Sequence, residues 1–523
     1  MAAPESSPAV NNFRMRALAT NARVVTAPYG FHLFTLAVIA TLFALRTFLF
    51  PGIGGDDGEQ LVFAQFLAGG YQLRNPPLYT WLVIAAQSVL GPSLAATLVV
   101  KFALLWLIYA LLWQVARTML DDLRLAALAA LSPFALYYVA WDAIHGYSHS
   151  ILVTVAYLFT LWTVLRLDRK GDVGAYALLG LAVGLGVLAK YAYGIFASAV
   201  LIAGVVDSDL RRRLLHPRLL ITLAVAILVT LPHVLWVLEQ PHPLFPPAPE
   251  GTRSYLTRVA AGLGHAGVAF FGFLSPLWVL WLLFFPRAFA PQAAAPAFGP
   301  VRRWRRFLGV LFLALAALMA AVIVGFGTDQ VRTHYMFVFT LFPLYFFARI
   351  QAAEVTDKAV LRFTAATTAL VAVAIVGVII KYAAEPLRCQ GCQHHLPYAD
   401  FAHALGAAGF RQGTIVASWH PHPLAGNFRA QFPGARVIDA KHPAVRPPPR
   451  SETGQCLLVW TPKPRPDGSD ANGAATIDIA NAHLATRLAP DTPREMIEAP
   501  LAMGRGRLAR LGYILLPGRG ECR

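Results

Sequence analysis

Apolar runs of about 20 residues, the length that crosses a bilayer as a helix, recur from residue 31 to residue 380, separated by short polar, Arg-rich or Pro-rich loops. Eleven spans are predicted, at about 31–50, 94–115, 125–140, 151–165, 176–189, 193–206, 219–238, 268–285, 307–326, 336–348 and 364–380. A further apolar stretch, 78–90, is too short to cross and is expected to lie at the interface as a helix. Beyond residue 384 the pattern changes. Residues 414–418, 435–439, 456–460 and 512–516 read as short buried strands, and 401–409 and 482–488 as helices. The expected fold class is an α-helical polytopic membrane protein with a small C-terminal α/β domain. Its parts are an N-terminal tail (1–30), a multi-span domain (31–383) with a first outer loop at 51–93, and a soluble domain (384–523).

Charge orients this map. Arg14, Arg16 and Arg23 precede the first span, and the clusters Arg166, Arg169 and Lys170, then Arg211, Arg212, Arg213 and Arg218, then Arg302, Arg303, Arg305 and Arg306 fall in every second loop. The opposite loops hold only Arg74, Lys190, Arg253, Arg258 and Arg332. Basic residues gather on the cytoplasmic side, so the tail is expected inside and the loop at 51–93 outside. Counting 78–90 as a span would invert every later loop. An odd number of spans places 384–523 outside, in the periplasm of a bacterial inner membrane protein.

Composition removes other classes. At 57% hydrophobic and 14% charged residues, the 523-residue chain is too apolar for a soluble protein. The net charge of +17 comes largely from the short loops, so it reports topology and contact with anionic lipid heads rather than nucleic-acid binding. No cleavable signal is expected in the polar, basic first 30 residues. All four cysteines, Cys389, Cys392, Cys456 and Cys522, lie in the C-terminal part. In an oxidising compartment they suggest disulfides, in any of three pairings. Cys389 and Cys392, followed by His394 and His395, could instead form a redox or metal pair.

The candidate chemistry is on the outer face. Asp56, Asp57 and Glu59 stand where the first span leaves the bilayer, ahead of a Gly-Gly-Tyr turn and an Arg74-Asn75-Pro76-Pro77 corner. Ionisable groups at such places are costly and seldom idle; the plainer reading is a solvated loop whose acids cap a helix over about 58–67. Asp142, His145, His149, Lys190, Arg332 and His334 lie in later outer loops. His145 and His149, four apart on one helical face, could bind metal with Asp142, although interfacial hydrogen bonding accounts for them as well. Lys101 and Arg46, the charges nearest mid-span, are expected to snorkel to the interface. The scarcity of mid-span charge favours surface chemistry over a lipid-linked glycan transporter or flippase. A third possibility is a non-catalytic membrane protein whose outer domain binds glycan.

The stretch D-D-G-E-Q…G-G-Y…N-P-P-L-Y-T-W-L, from Asp56 to Leu82, resembles the first outer loop of glycosyltransferase family 39 and its bacterial relatives. These include the lipid A aminoarabinose transferases, protein O-mannosyltransferases and rhizobial galacturonosyltransferases. Trp141-Asp142-Ala143, G-L-A-V-G-L-G-V-L-A-K-Y ending at Lys190-Tyr191, and Arg332-Thr333-His334 resemble later family segments in the same order. The resemblance implies a GT-C fold, inversion at the anomeric carbon and a polyprenyl-phosphate sugar donor. It also implies that the first loop Asp is catalytic. Aligning on Gly70-Tyr71 puts that residue at Asp56, with Asp57 in the family's Glu slot; aligning on Pro76-Pro77 puts it at Asp57.

The expected reaction moves a sugar from this donor to a lipid or glycan acceptor. A carboxylate takes the acceptor's proton and cations hold the phosphate. The expected catalytic residues are Asp56, Asp57 and Asp142. Expected substrate contacts are Glu59, Tyr71, Arg74, Asn75, Lys190, Tyr191, Arg253, Arg332 and His334. No cofactor is required in this scheme; a divalent metal is possible but nothing indicates one.

Overall fold

In lipid, a helix satisfies its own backbone polar groups, and the apolar runs fold accordingly. The computed structural model describes residues 16, 19–50, 52–242, 244, 254–289, 299–350, 355–388, 393–418, 424–449, 453–465 and 470–523. Among the described residues seven helices are long and apolar enough to cross a membrane: Pro28–Phe48, Leu94–Met119, Ser148–Lys170, Leu219–Leu238, Tyr255–Phe273, Pro300–Phe326 and Asp357–Arg388. Tyr193–Val206 and Ser208–Leu214, bent by 115°, count as an eighth if read as one span. The spans expected at 125–140, 176–189 and 336–348 are shorter apolar helices, and Leu78–Leu90 is a helix of 13 residues.

One expected span is misplaced. Residues 268–285 are not a single helix: one helix runs Tyr255–Phe273 and a second Leu277–Phe284. The Ser254 hydroxyl caps the first by accepting the Thr257 N–H, and Pro276, lacking an N–H, stands at the start of the second. Arg258 therefore lies inside a helix, where its Nε donates to the Gly327 carbonyl at 2.9 Å.

The chain forms two compact units. The first comprises residues 1–39, 73–76 and 104–374. In it the helix Val173–Ala189 packs against Ser148–Lys170 and Leu219–Leu238. A Cβ at Gly180 would stand 2.5 Å from the Thr222 carbonyl, and one at Gly184 2.8 Å from the Val229 Cβ. The small-residue face of the G-L-A-V-G segment thus permits close helix approach. Arg303, in the first turn of Pro300–Phe326, gathers the C-terminal ends of Ser148–Lys170 and Tyr193–Val206, with Nη2 at 2.7 Å from both Asp168 and Asp207.

The second unit comprises residues 40–72, 77–103 and 375–523. Its five-stranded sheet has the order β2-β1-β3-β5-β4, with β1 Gly413–Ala417, β2 Arg436–Asp439, β3 Gln455–Trp460, β4 Glu495–Pro500 and β5 Leu508–Pro517. The β1-β2 and β1-β3 pairs are parallel; β3-β5 and β4-β5 are antiparallel. Strand side chains alternate between faces, and both faces here are covered. Val416, Ile438, Leu458 and Trp460 pack with Ile477, Ala480 and Leu484. Ile415, Ala417, Val437, Leu457 and Val459 pack with Phe401 and Phe428, and with Val62, Phe63 and Tyr71 from the loop that follows the first span. That loop is therefore part of the hydrophobic core beneath the sheet.

The strand at 495–500 was not expected, and the helix expected at 482–488 runs instead from Ala471 to Leu484. Asp470 starts the helix by accepting the Asn472 N–H. Cys456 and Cys522 form a disulfide. Cys389 and Cys392 lie outside the described residues, so the proposed redox or metal pair does too.

Candidate active site

Gly55, with φ of +54°, turns the chain into a helix, Gly55–Phe63. Asp56 and Asp57 occupy its first turn, where the helix dipole favours negative charge. This helix starts three residues ahead of the sequence reading, so both acids lie within it rather than capping it. Successive side chains diverge by about 100° around a helix, and these two meet different surroundings. Asp57 is 2% exposed and its Oδ2 lies 2.6 Å from Lys101 Nζ, itself fully buried on the helix Leu94–Met119. Lys101 does not snorkel; it answers a carboxylate. Arg46 is buried as well, donating to the Gly52 carbonyl at 2.9 Å. Asp56 is exposed.

Glu59 lies one turn beyond Asp56 and is buried. Its carboxylate accepts from Gln72 Nε2 at 3.0 Å and from Lys441 Nζ at 3.0 Å, with His442 Nε2 at 3.5 Å. The Tyr71 hydroxyl donates to the Phe66 carbonyl at 2.7 Å and accepts the Ala68 N–H, while its ring stacks on Phe63. Burial pushes that phenol up to about 12, against the lowering effect of the Ala68 N–H. Arg74 is exposed and Asn75 half-buried.

Arg74 and Asn75 belong to the first unit, as do the remaining candidates. Lys190 ends the helix Val173–Ala189, and its Nζ donates to Ser150 Oγ at 2.9 Å and stands 5.6 Å from the Tyr335 ring centroid. Three segments far apart in sequence thus meet around one ammonium. The Tyr191 hydroxyl shares a 2.8 Å hydrogen bond with His233 Nε2, and burial raises its pKa to about 12. Asp142 ends a π-helical turn, Tyr138–Asp142, and accepts from the Tyr137 hydroxyl. Arg332 is exposed just before the 3-10 helix Thr333–Leu341, which contains His334. Arg253 lies outside the described residues.

His145 and His149 do not share one helical face. The short helix Ala143–His145 stops at Gly146, and Tyr147, with φ of +62°, precedes a new helix from Ser148. His145 Nδ1 pairs with the Trp141 carbonyl at 2.9 Å. Among the described residues no group of three His, Cys, Asp or Glu could hold a metal ion.

Residues 74–236 match the family model described as dolichyl-phosphate-mannose-protein mannosyltransferase. The lipopolysaccharide core galacturonosyltransferase RgtB of Rhizobium johnstonii is 31% identical over 463 residues, 86% of this chain and 90% of that protein. RgtA of the same organism is 30% identical over 442 residues, 82% and 85% of the two chains. The chain belongs to the family of these galacturonosyltransferases.

It is an integral-membrane glycosyltransferase. Its fold is that of ArnT from Cupriavidus metallidurans, a GT-C fold. The ArnT structure bound to undecaprenyl phosphate has a TM-score of 0.57 at 13% identity and covers 93% of this chain and 98% of that one. The apo ArnT structure has a TM-score of 0.54.

Sequence reasoning missed three residues that the glycosyltransferase places against its first loop. Lys101 was read as snorkelling, although a lysine seven residues into a span is a cue to seek a buried acid. Lys441 and Asn427 carried no signal, because nothing local distinguishes them from other polar residues of the C-terminal region.

Proposed function

We propose that the enzyme transfers a galacturonosyl residue from a polyprenyl-phosphate carrier to a saccharide of a lipopolysaccharide core at the periplasmic face, with Asp56 as base. The observation that carries the assignment is the division of labour between two neighbouring carboxylates. Asp57 is committed to Lys101, whereas Asp56 is exposed at the start of the helix. A base needs hydrogen-bond reach to the hydroxyl it deprotonates, and an exposed carboxylate can be approached by one. The names of RgtA and RgtB support the sugar and the acceptor; the undecaprenyl phosphate bound by ArnT supports the carrier. The distribution of basic loops supports the side of the membrane and a periplasmic soluble domain.

In this reading the acceptor oxygen attacks the anomeric carbon as Asp56 takes its proton. The carbon–oxygen bond to the carrier phosphate breaks with inversion, and the phosphate leaves with the bonding pair. Lys190 and Arg332 are cations suited to a phosphate, Lys190 being fixed by Ser150 and Tyr335. Asp142, Arg74, Asn75, Arg253 and His334 are further candidates for substrate contact, each to be tested by itself. Tyr71, Tyr191 and Glu59 act as supports through the bonds described above. The scheme needs no cofactor, and transfer is expected to persist in EDTA.

The test is transfer by the purified full-length protein in lipid nanodiscs, from polyprenyl-phosphate galacturonic acid and from neutral polyprenyl-phosphate hexoses, to a lipopolysaccharide core acceptor. Transfer from the uronate carrier, reduced about 10²–10⁴-fold in Asp56→Asn, is expected. Transfer from neutral carriers alone overturns the sugar assignment. Undiminished transfer by Asp56→Asn overturns the base.

A further inference from the structure

The helix that carries Asp56 is held by the soluble domain at points on both sides of that residue. Ahead of it, the Asn427 side chain pairs with Ile53 twice: its Oδ1 accepts the Ile53 N–H at 3.0 Å and its Nδ2 donates to the Ile53 carbonyl at 2.8 Å. Behind it, Gly426 lies against Gly58 so closely that a Cβ at Gly426 would stand 2.3 Å from the Gly58 oxygen. One turn beyond Asp56, Lys441 donates to Glu59 at 3.0 Å. At the far end, Gln65 repeats the two-way amide pairing, on Val437: Nε2 to the carbonyl at 2.7 Å and the Val437 N–H to Oε1 at 2.8 Å.

These contacts are of a kind that sets position. Asn427 is 1% exposed, and its amide satisfies a backbone N–H and C=O that would otherwise lack partners. Lys441 is itself oriented, since its backbone N–H donates to Asp439 Oδ1 at 3.0 Å at the end of β2. The sheet thus reaches the helix through a turn capped at its own edge.

We propose that Asn427 and Lys441 are positioning residues for Asp56, and that the soluble domain sets where the catalytic carboxylate stands. The proposal rests on the reading of Asp56 as base. Neither residue touches the reacting atoms in this scheme; each acts through the helix. A displacement of about 1 Å at a reacting group can cost roughly 10²-fold in rate, so loss of one contact is expected to lower turnover while the substrate sites elsewhere keep their affinity.

The experiment uses the full-length protein in nanodiscs, with folded protein quantified by size exclusion and thermal midpoint. Lys441→Met is the primary variant because Lys441, at 35% exposed, is far less buried than Asn427; Asn427→Ala is the second. The expected result is a fall in kcat of about tenfold or more per folded molecule, with KM for carrier and acceptor within about twofold of wild type. Lys441→Arg should recover most of that loss. Glu59→Gln combined with Lys441→Met should be no worse than the poorer single variant, since both break one contact.

Unchanged kcat in both single variants overturns the proposal. So does a loss explained wholly by less folded protein, or one confined to KM. Wild-type protein that transfers nothing from any carrier would instead defeat the proposed reaction, and an active Asp56→Asn would defeat the base. These outcomes are separable from failure of the positioning role.

Discussion

Removing the Lys101 ammonium should damage this protein more than removing any exposed charge near the loop. Lys101 is fully buried and Asp57 2% exposed, with 2.6 Å between nitrogen and oxygen. Lys101→Met leaves a carboxylate where water does not reach it. Breaking a buried pair by deleting one partner costs about 3–5 kcal/mol, against a total stability on the order of 5–15 kcal/mol for a typical domain. Asp57→Asn should do comparable harm by leaving the ammonium buried. The double variant Asp57→Leu with Lys101→Met removes both charges and should recover most of the loss, because well-packed apolar replacements of buried ion pairs are often neutral. The assay is the thermal midpoint of the full-length protein in nanodiscs, followed by tryptophan fluorescence, with transfer activity measured per folded molecule. Asp56→Asn serves as the contrast: an exposed substitution should change stability by no more than about 0.5 kcal/mol while lowering transfer about 10²–10⁴-fold. If Lys101→Met and Asp57→Asn melt like wild type, the pair does not carry the structural weight given to it here. If Asp57→Asn folds normally and is inactive while Asp56→Asn remains active, the roles of the two carboxylates are reversed.

Other perturbations test the second unit. Replacing both Cys456 and Cys522 with Ala reopens a loop of 66 residues, and loop entropy sets the loss at about 4 kcal/mol, read as a lower thermal midpoint that dithiothreitol reproduces in the wild type. Gly426→Ala pushes a methyl into the Gly58 backbone; overpacking of this kind costs about 1–3 kcal/mol, and both midpoint and transfer rate should fall. His395 is fully buried, and burial lowers its pKa below the usual 6.5, helped by the positive charge of His394 and Arg46 against the opposing effect of Glu385. The unfolded chain therefore binds this proton first, so the contribution is complete above about pH 6.5 and is lost as pH falls toward the depressed folded value. The midpoint should drop on acidification through that window, and less so in His395→Asn.

The parts of this structure that repeat with a fixed period were legible in the sequence. The long apolar runs became helices, and the four expected strands formed because β-branched and apolar residues concentrate there. The β4 strand, Glu495–Pro500, was missed because it lies at the sheet edge and is mostly exposed, with no buried run to mark it. The break at Ser275-Pro276 was overlooked because hydropathy stays high across it, although proline removes a backbone donor. The first loop stood out through its acids, yet their different roles did not. That distinction depends on Lys101, 44 residues away, and on which side of a helix each acid faces. The grip of the C-terminal region on the first loop was the least legible feature. Asn427 and Ile53 are 374 residues apart, and the contact is from amide to backbone, for which side-chain pattern carries no information.

The sharing of one core by Phe63 and the sheet also constrains how the protein is made. Val62, Phe63 and Tyr71 are synthesised early, but Leu396, Ile415 and Val437, which cover them, are added last. At roughly 5–20 residues per second, about 330 further residues take tens of seconds. During that interval the first loop presents an aromatic surface with nothing to close over it. Biogenesis of this enzyme thus includes a waiting state, in which the first loop stays uncovered until the residues from Leu396 onward have been made.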